Sequence, residues 1–247
     1  MTDDIQFLIL AALATLITLS IHEFAHALAA YKLGDNTAKY AGRLTINPLK
    51  HLDPIGAACL LLFHFGWAKP VPINPTNFKN PKRGFAISAL AGPLTNLAVA
   101  FICAFVYLLL YTKLYVYALG TSFLSNLAYN AIRFFAILHT VNIGLGVFNL
   151  IPVPPLDGSR LLTALLPTKI YFKIMKYERR IYLFVIAWLL LGSYVKAFLM
   201  SIPLVANNSI LSFIAGVFSL SGIISTLISW ISGLMLDFWQ LFPIFHF

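Results

Sequence analysis

Long apolar runs separated by short polar, basic stretches set the layout of this chain. Residues 5–31 form the first run, in which Glu23 is the only charge. Residues 32–54 are polar and carry Lys32, Lys39, Arg43 and Lys50. The apolar stretch over 55–66 is too short to cross a bilayer, where a helix needs about 20 apolar residues. A re-entrant or interfacial piece is expected there. A stretch rich in proline and asparagine, 67–84, follows with Lys69, Lys79, Lys82 and Arg83. A second span is expected over 85–111 and a third over 128–151, with Lys113 between them. The third runs into Pro152-Val153-Pro154-Pro155-Leu156-Asp157-Gly158, whose prolines forbid a continuous helix. After a basic stretch over 158–180, apolar segments at 181–200 and 209–236 predict two more helices, and the aromatic tail reads as an interfacial anchor.

The pattern therefore predicts an all-α polytopic membrane protein. A three-helix catalytic core would be joined by two further C-terminal hydrophobic helices, with a small re-entrant or β-element after the first span. As domains, residues 1–160 would form the core, and 161–247 a basic cytoplasmic loop with accessory transmembrane helices.

Composition supports this. The chain is 60% hydrophobic and 10% charged, with a mean hydropathy of +0.86; soluble domains carry about a quarter charged residues. The acidic start, Met1-Thr2-Asp3-Asp4, is unlike a signal peptide, so the first span is expected to be kept. Cys59 and Cys103 lie in apolar segments and indicate neither a disulfide framework nor a cysteine zinc site. The net charge of +9 is scattered over loops, which fits positive-inside topology better than nucleic-acid binding. With the N-terminus outside, the basic groups of 32–54, 67–84 and 158–180 all face the cytoplasm and Lys113 does not. That count requires residues 55–66 to enter and leave on one side. Arg133 and Lys196 fall near the outer ends of spans, where they can snorkel.

The candidate chemistry sits in the first run, at His22-Glu23-Phe24-Ala25-His26. A helix brings positions four apart onto one face, so both imidazoles can point at one ion. That pair suits zinc, and the adjacent glutamate suits a general base acting on zinc-bound water. An ionisable residue at that depth in a membrane is itself a functional signal. A hydrolytic zinc site takes three protein ligands, so a third is needed. Asp3 and Asp4 are terminal, Asp35 and Asp53 sit in a polar loop, Glu178 lies in a basic cluster, and Asp237 is in the tail. Asp157 remains. It follows a proline-broken helix, on backbone that can dip back into the bundle where it lines a cavity.

These residues resemble the site-2 proteases, intramembrane zinc metalloproteases. The histidine box, Gly92-Pro93-Leu94-Thr95-Asn96 and the Asn149 to Gly158 segment recur in that family in this order. Asn47-Pro48, Asp53-Pro54-Ile55-Gly56 and Gly66-Trp67-Ala68-Lys69-Pro70 look like its compact prokaryotic branch. The resemblance implies one Zn2+ per chain held by His22, His26 and Asp157, with Glu23 as catalytic base. It also implies cleavage of transmembrane protein substrates near the cytoplasmic face, in a prokaryotic cell membrane. No stretch is long and polar enough for a PDZ or CBS module. Asn96 is a candidate for contact with the oxyanion or substrate, or a source of interhelical hydrogen bonds. Asn142 and Asn149 offer support to the site or helix packing, while His64 and His139 are assigned to packing or the interface. Gly42 to Asn47 and Trp67 to Asn74 are candidate strand edges that could hold a substrate extended. The alternatives are a transporter or non-catalytic scaffold, or a membrane zincin of another family. No second histidine box suggests a transporter repeat, and no downstream glutamate is placed to serve as another zincin's third ligand.

Overall fold

The computed structural model describes residues 2–56, 68–167, 170, 173–174, 176–212 and 220–245. The first span is one helix, α1 (Thr2–Lys32), and two short helices follow, α2 (Thr37–Tyr40) and α3 (Pro48–His51). The second span is α4 (Pro81–Ala118) and the third is α5 (Phe123–Leu150). Beyond them come α6 (Asp157–Leu165), α7 (Glu178–Met200), α8 (Pro203–Ala206) and α9 (Leu220–Gln240). Among the described residues, four helices are long and apolar enough to cross a membrane: α1, α4, α5 and α9. The protein is an all-α polytopic membrane protein.

The spans outrun their apolar cores because polar caps extend them. Pro81 stands in the first turn of α4, and the Asn80 side chain accepts from Arg83 N–H. The helix has 38 residues, roughly 57 Å at 1.5 Å per residue, against a hydrocarbon layer of about 30 Å. In α5 the cap is Ser122, whose Oγ accepts from Ser125 N–H at 3.1 Å. The helix stops at Leu150 because Pro152 disfavours helical backbone before it.

Small residues bring the core helices together. Ala14, Cys103 and Leu138 form one buried cluster, with Val99 and Phe134 packed against it. A second, Ala100, Ile143 and Val147, receives Ile228, Ile231 and Met235 from α9. Side chains without bulk let helix axes approach in lipid, where association depends on packing and hydrogen bonds. Several such bonds cross the bundle among the described residues. Asn142 Nδ2 donates to Thr18 Oγ1 at 2.9 Å. His139 Nδ1 lies 2.9 Å from the Ala100 carbonyl and its Nε2 2.9 Å from Ser232 Oγ. Trp239 Nε1 donates to the Phe101 carbonyl at 2.9 Å. His139 thus joins α5 to α4 and α9, and α9 is fastened to the core.

Residues 57–67, and with them most of the expected re-entrant run, lie outside the described residues, as does His64. The two flanks of the run meet: Leu52 forms an isolated antiparallel bridge with Ala68, and Lys69 N–H donates to the His51 carbonyl at 2.8 Å. This bridge is all of the β-element among the described residues. The strand edge expected over 42–47 does not form. Gly42 turns the chain with a φ of 66°, the Thr45 carbonyl pairs with His51 Nε2 at 2.7 Å, and Asn47 N–H returns to Thr45 Oγ1 at 3.2 Å. Local bonds have taken the groups that a strand would present.

Asp35, just past α1, closes the loop region from the other side. It is fully buried and accepts from Thr37 N–H at 3.0 Å, Thr37 Oγ1, Asn74 N–H at 2.7 Å and Asn77 Nδ2 at 2.7 Å. Burial pushes its carboxyl up; these hydrogen bonds outweigh that and hold it below the usual carboxylate range.

Candidate metal centre and active site

The second half of α1 carries His22 and His26 on one face, both buried, with ring centroids 4.5 Å apart. Their Nε2 atoms are 2.9 Å from each other. Asp157 Oδ2 completes a triangle, 3.1 Å from His22 Nε2 and 3.2 Å from His26 Nε2. The sequence places Asp157 some 130 residues after the pair, and two features of the chain bring it back. Pro152 ends α5, and α6 begins at Asp157 itself. Gly158 then packs so tightly on the end of α5 that a β-carbon there would strike the Leu150 carbonyl.

The orientation of His26 is fixed from α4. Its Nδ1 is 2.7 Å from the Ser88 carbonyl, which can only accept, so Nδ1 carries the proton and Nε2 presents a lone pair. Four residues on from Ser88 stands Gly92. A β-carbon at that position would land on the His26 ring and come within 2.7 Å of His22 Cε1. One turn further along the helix, Asn96 is fully buried with its amide nitrogen 3.2 Å from His22 Nδ1. Its Oδ1 is buried and has no partner. A half-turn of the amide exchanges the two ends, so that Oδ1 accepts from His22 Nδ1–H. Both imidazoles then present Nε2 lone pairs inward.

That arrangement fits a metal ion. Two lone pairs and a carboxylate oxygen facing each other at 2.9–3.2 Å repel unless something positive sits among them. Asp157 Oδ2 is buried without a hydrogen-bond donor, which is costly for an anion. Nitrogen and oxygen ligands about 2.0–2.1 Å from a tetrahedral zinc ion stand about 3.3 Å apart, close to the triangle found. Among the described residues, His22, His26 and Asp157 form a cluster able to hold a metal.

Glu23 reaches the segment that follows residues 57–67, where its Oε2 accepts from Val71 N–H at 2.8 Å. All four residues singled out from the motif region, and Asn96 with them, are thus gathered at one end of α1. Asn142 lies deeper and binds Thr18, while Asn149 Nδ2 donates to the Leu145 carbonyl of its own helix. The Ser88 carbonyl and Val71 N–H escape a reading by residue type because both act through the backbone. The glycine of Gly92-Pro93 was visible, but not the reason for it. Arg160, three residues after Asp157, lies 3.2 Å from Glu178 Oε1 and over the Phe85 ring at 5.2 Å.

Comparison with known proteins agrees with this geometry. The Bacillus subtilis (strain 168) protein named "Putative zinc metalloprotease YwhC" is 41% identical over 184 residues, covering 73% of this chain and 80% of that protein. Rip2 of Mycolicibacterium smegmatis, whose name carries the same description, is 32% identical over 155 residues, 61% of this chain and 54% of Rip2. No solved structure matches significantly. The model of Peptidase family M50 matches residues 10–192, which contain the whole His22, Glu23, His26 and Asp157 constellation, and the chain belongs to that family.

Proposed function

We propose that the protein is a zinc-dependent intramembrane endopeptidase in which His22, His26 and Asp157 hold one zinc ion and Glu23 is the general base. The observation that carries this reading is the inward triangle of Nε2, Nε2 and Oδ2, with the His26 proton committed to Ser88. Bound there, zinc supplies Lewis acidity toward a water and a peptide carbonyl. Glu23 takes a proton from the water as its oxygen bonds to the carbonyl carbon. It gives that proton to the amide nitrogen as the C–N bond breaks, leaving a carboxylic acid and an amine. Asn96 holds His22 in the tautomer that ligation needs; a contact with the developing oxyanion is its second candidate role. The descriptions attached to YwhC and Rip2 point to the same metal and reaction.

In this reading the substrates are transmembrane segments, cut near the cytoplasmic face. His26 and His22 lie six and ten residues before the end of α1, roughly 9 and 15 Å along the axis. The basic loops begin at that end, which supports an N-terminus outside and the site toward the cytoplasm. Residues 1–160 act as the catalytic core and 161–247 as accessory structure. Zinc analysis of the purified protein and of Asp157→Ala tests the ligand set. One zinc per chain is expected in the first and a large loss in the second; full occupancy of the variant would remove Asp157 from it.

A further inference from the structure

Glu23 is held by a group that no residue type announces. Val71 N–H donates to its Oε2 at 2.8 Å, across 48 positions of sequence. Val71 stands between Pro70 and Pro72, and proline has no N–H, so it is the one backbone donor in that stretch. The segment is stiff: proline fixes φ at about −65°, and a residue before proline keeps to extended backbone. It is also fastened at both ends, by Lys69 N–H on the His51 carbonyl at 2.8 Å and by Asn74 N–H on Asp35 Oδ2 at 2.7 Å. A single donor therefore meets the carboxylate from backbone that cannot easily yield.

A glutamate side chain has three rotatable bonds, and a general base works only within about 2.6–3.2 Å of the proton it takes. We propose that Val71 N–H is the positioning group of the catalytic base: it pins Oε2 and leaves Oε1 to take the proton. This rests on the reading of Glu23 as the base. The bond restrains the carboxylate in the orientation for transfer, and its loss leaves metal and substrate binding in place while the reactive orientation becomes rare.

Two measurements on the full chain in nanodiscs test it. The first is independent of activity. Labelling proline with carbonyl 13C and valine with 15N selects amides that follow proline, and the sequence has two such pairs, Pro70-Val71 and Pro152-Val153. Val71→Ala assigns the signals. Glu23→Ala should move the Val71 amide proton upfield by several tenths of a ppm and leave Val153 in place.

The second replaces Val71 by its α-hydroxy acid, which exchanges the N–H for an ester oxygen and keeps the side chain. The probe is a fluorogenic transmembrane peptide cleaved by the wild-type protein and not by Glu23→Gln. The ester protein should lose about tenfold to a hundredfold in kcat, with KM and zinc content unchanged. An unmoved Val71 signal, or an ester protein with wild-type kcat, overturns the proposal and leaves Glu23 as the base. Cleavage of such peptides by Glu23→Gln overturns the base assignment and this proposal together.

Discussion

The ring of His26 occupies the space in which a β-carbon on Gly92 would stand. This close approach brings α1 and α4 together at the site, and it lets the Ser88 carbonyl, one turn earlier on α4, reach His26 Nδ1. Gly92→Ala is therefore expected to push the imidazole off its ligand direction without exposing the core. Zinc affinity, read by competition with a chelator, should fall at least about tenfold, the usual scale for disturbing the partners that orient a ligand. Unchanged affinity would show that the helices separate enough to admit a methyl group.

Asn96 distinguishes two roles by what is lost. If its amide holds the tautomer of His22, Asn96→Ala lowers zinc affinity about tenfold to a hundredfold, while Asn96→Asp, which keeps an acceptor, retains the metal. If it serves the oxyanion, Asn96→Ala keeps zinc and loses about a hundredfold or more in kcat. The 3.2 Å approach to His22 Nδ1 favours the first outcome. Equilibrium zinc titration beside turnover of one transmembrane peptide reads both.

Glu23→Gln removes the proposed base but no proposed ligand. Zinc content should stay near one per chain while turnover falls by several orders of magnitude, because loss of the proton acceptor acts on the chemical step alone. Metal analysis and cleavage assays on the same preparation check this pair of outcomes.

What could be read from the sequence follows from how local each cause is. The spans and the pairing of His22 with His26 depend on spacing within one helix, so they are legible. Asp157 emerged by elimination because so few carboxylates exist in the chain. Asp35 was classed as a loop residue because two of its partners, Asn74 and Asn77, are 39 and 42 positions away. The requirement for glycine at 92 and 158 depends on atoms that arrive from other helices. The helices extend past the apolar spans for a different reason: hydropathy marks the lipid-embedded part, while Asn80 and Ser122 cap the helices beyond it.

The pairing of Leu52 with Ala68 makes a topological statement as well. Both flanks of residues 57–67 belong to one end of the bundle, so single cysteines at Lys50 and Lys79, in a protein lacking Cys59 and Cys103, should label from the same side. In the proposed orientation that side is the cytoplasm, and a cysteine at Lys113 labels from the outside. Opposite labelling at Lys50 and Lys79 would mean that the intervening chain crosses the bilayer.

Asp35 gives the loop region a dependence on acid. Its carboxylate receives backbone N–H groups from Thr37 and Asn74 and the side-chain amide of Asn77, tying the end of α1 to the segment that carries Val71. The folded form holds this carboxyl below its ordinary value, so the unfolded form binds the proton more readily. The clamp's contribution is therefore complete above the ordinary carboxyl pKa of about 3.9. It is lost as pH falls through the lower folded value, where protonation removes the charged acceptor. Hydrogen exchange at the Thr37 and Asn74 amides, corrected for the intrinsic effect of pH, should show steady protection from pH 7 to about 5 and loss below about 4. Asp35→Ala should abolish that step and expose both amides at every pH. Hydrogen bonds to a charged group are worth about 1.5–3 kcal/mol, so the variant should also melt earlier. Because the clamp holds the Val71 segment, Asp35→Ala should lower cleavage without removing zinc. A variant with wild-type exchange at Asn74 would show that the segment is held by its prolines and the Leu52–Ala68 bridge alone.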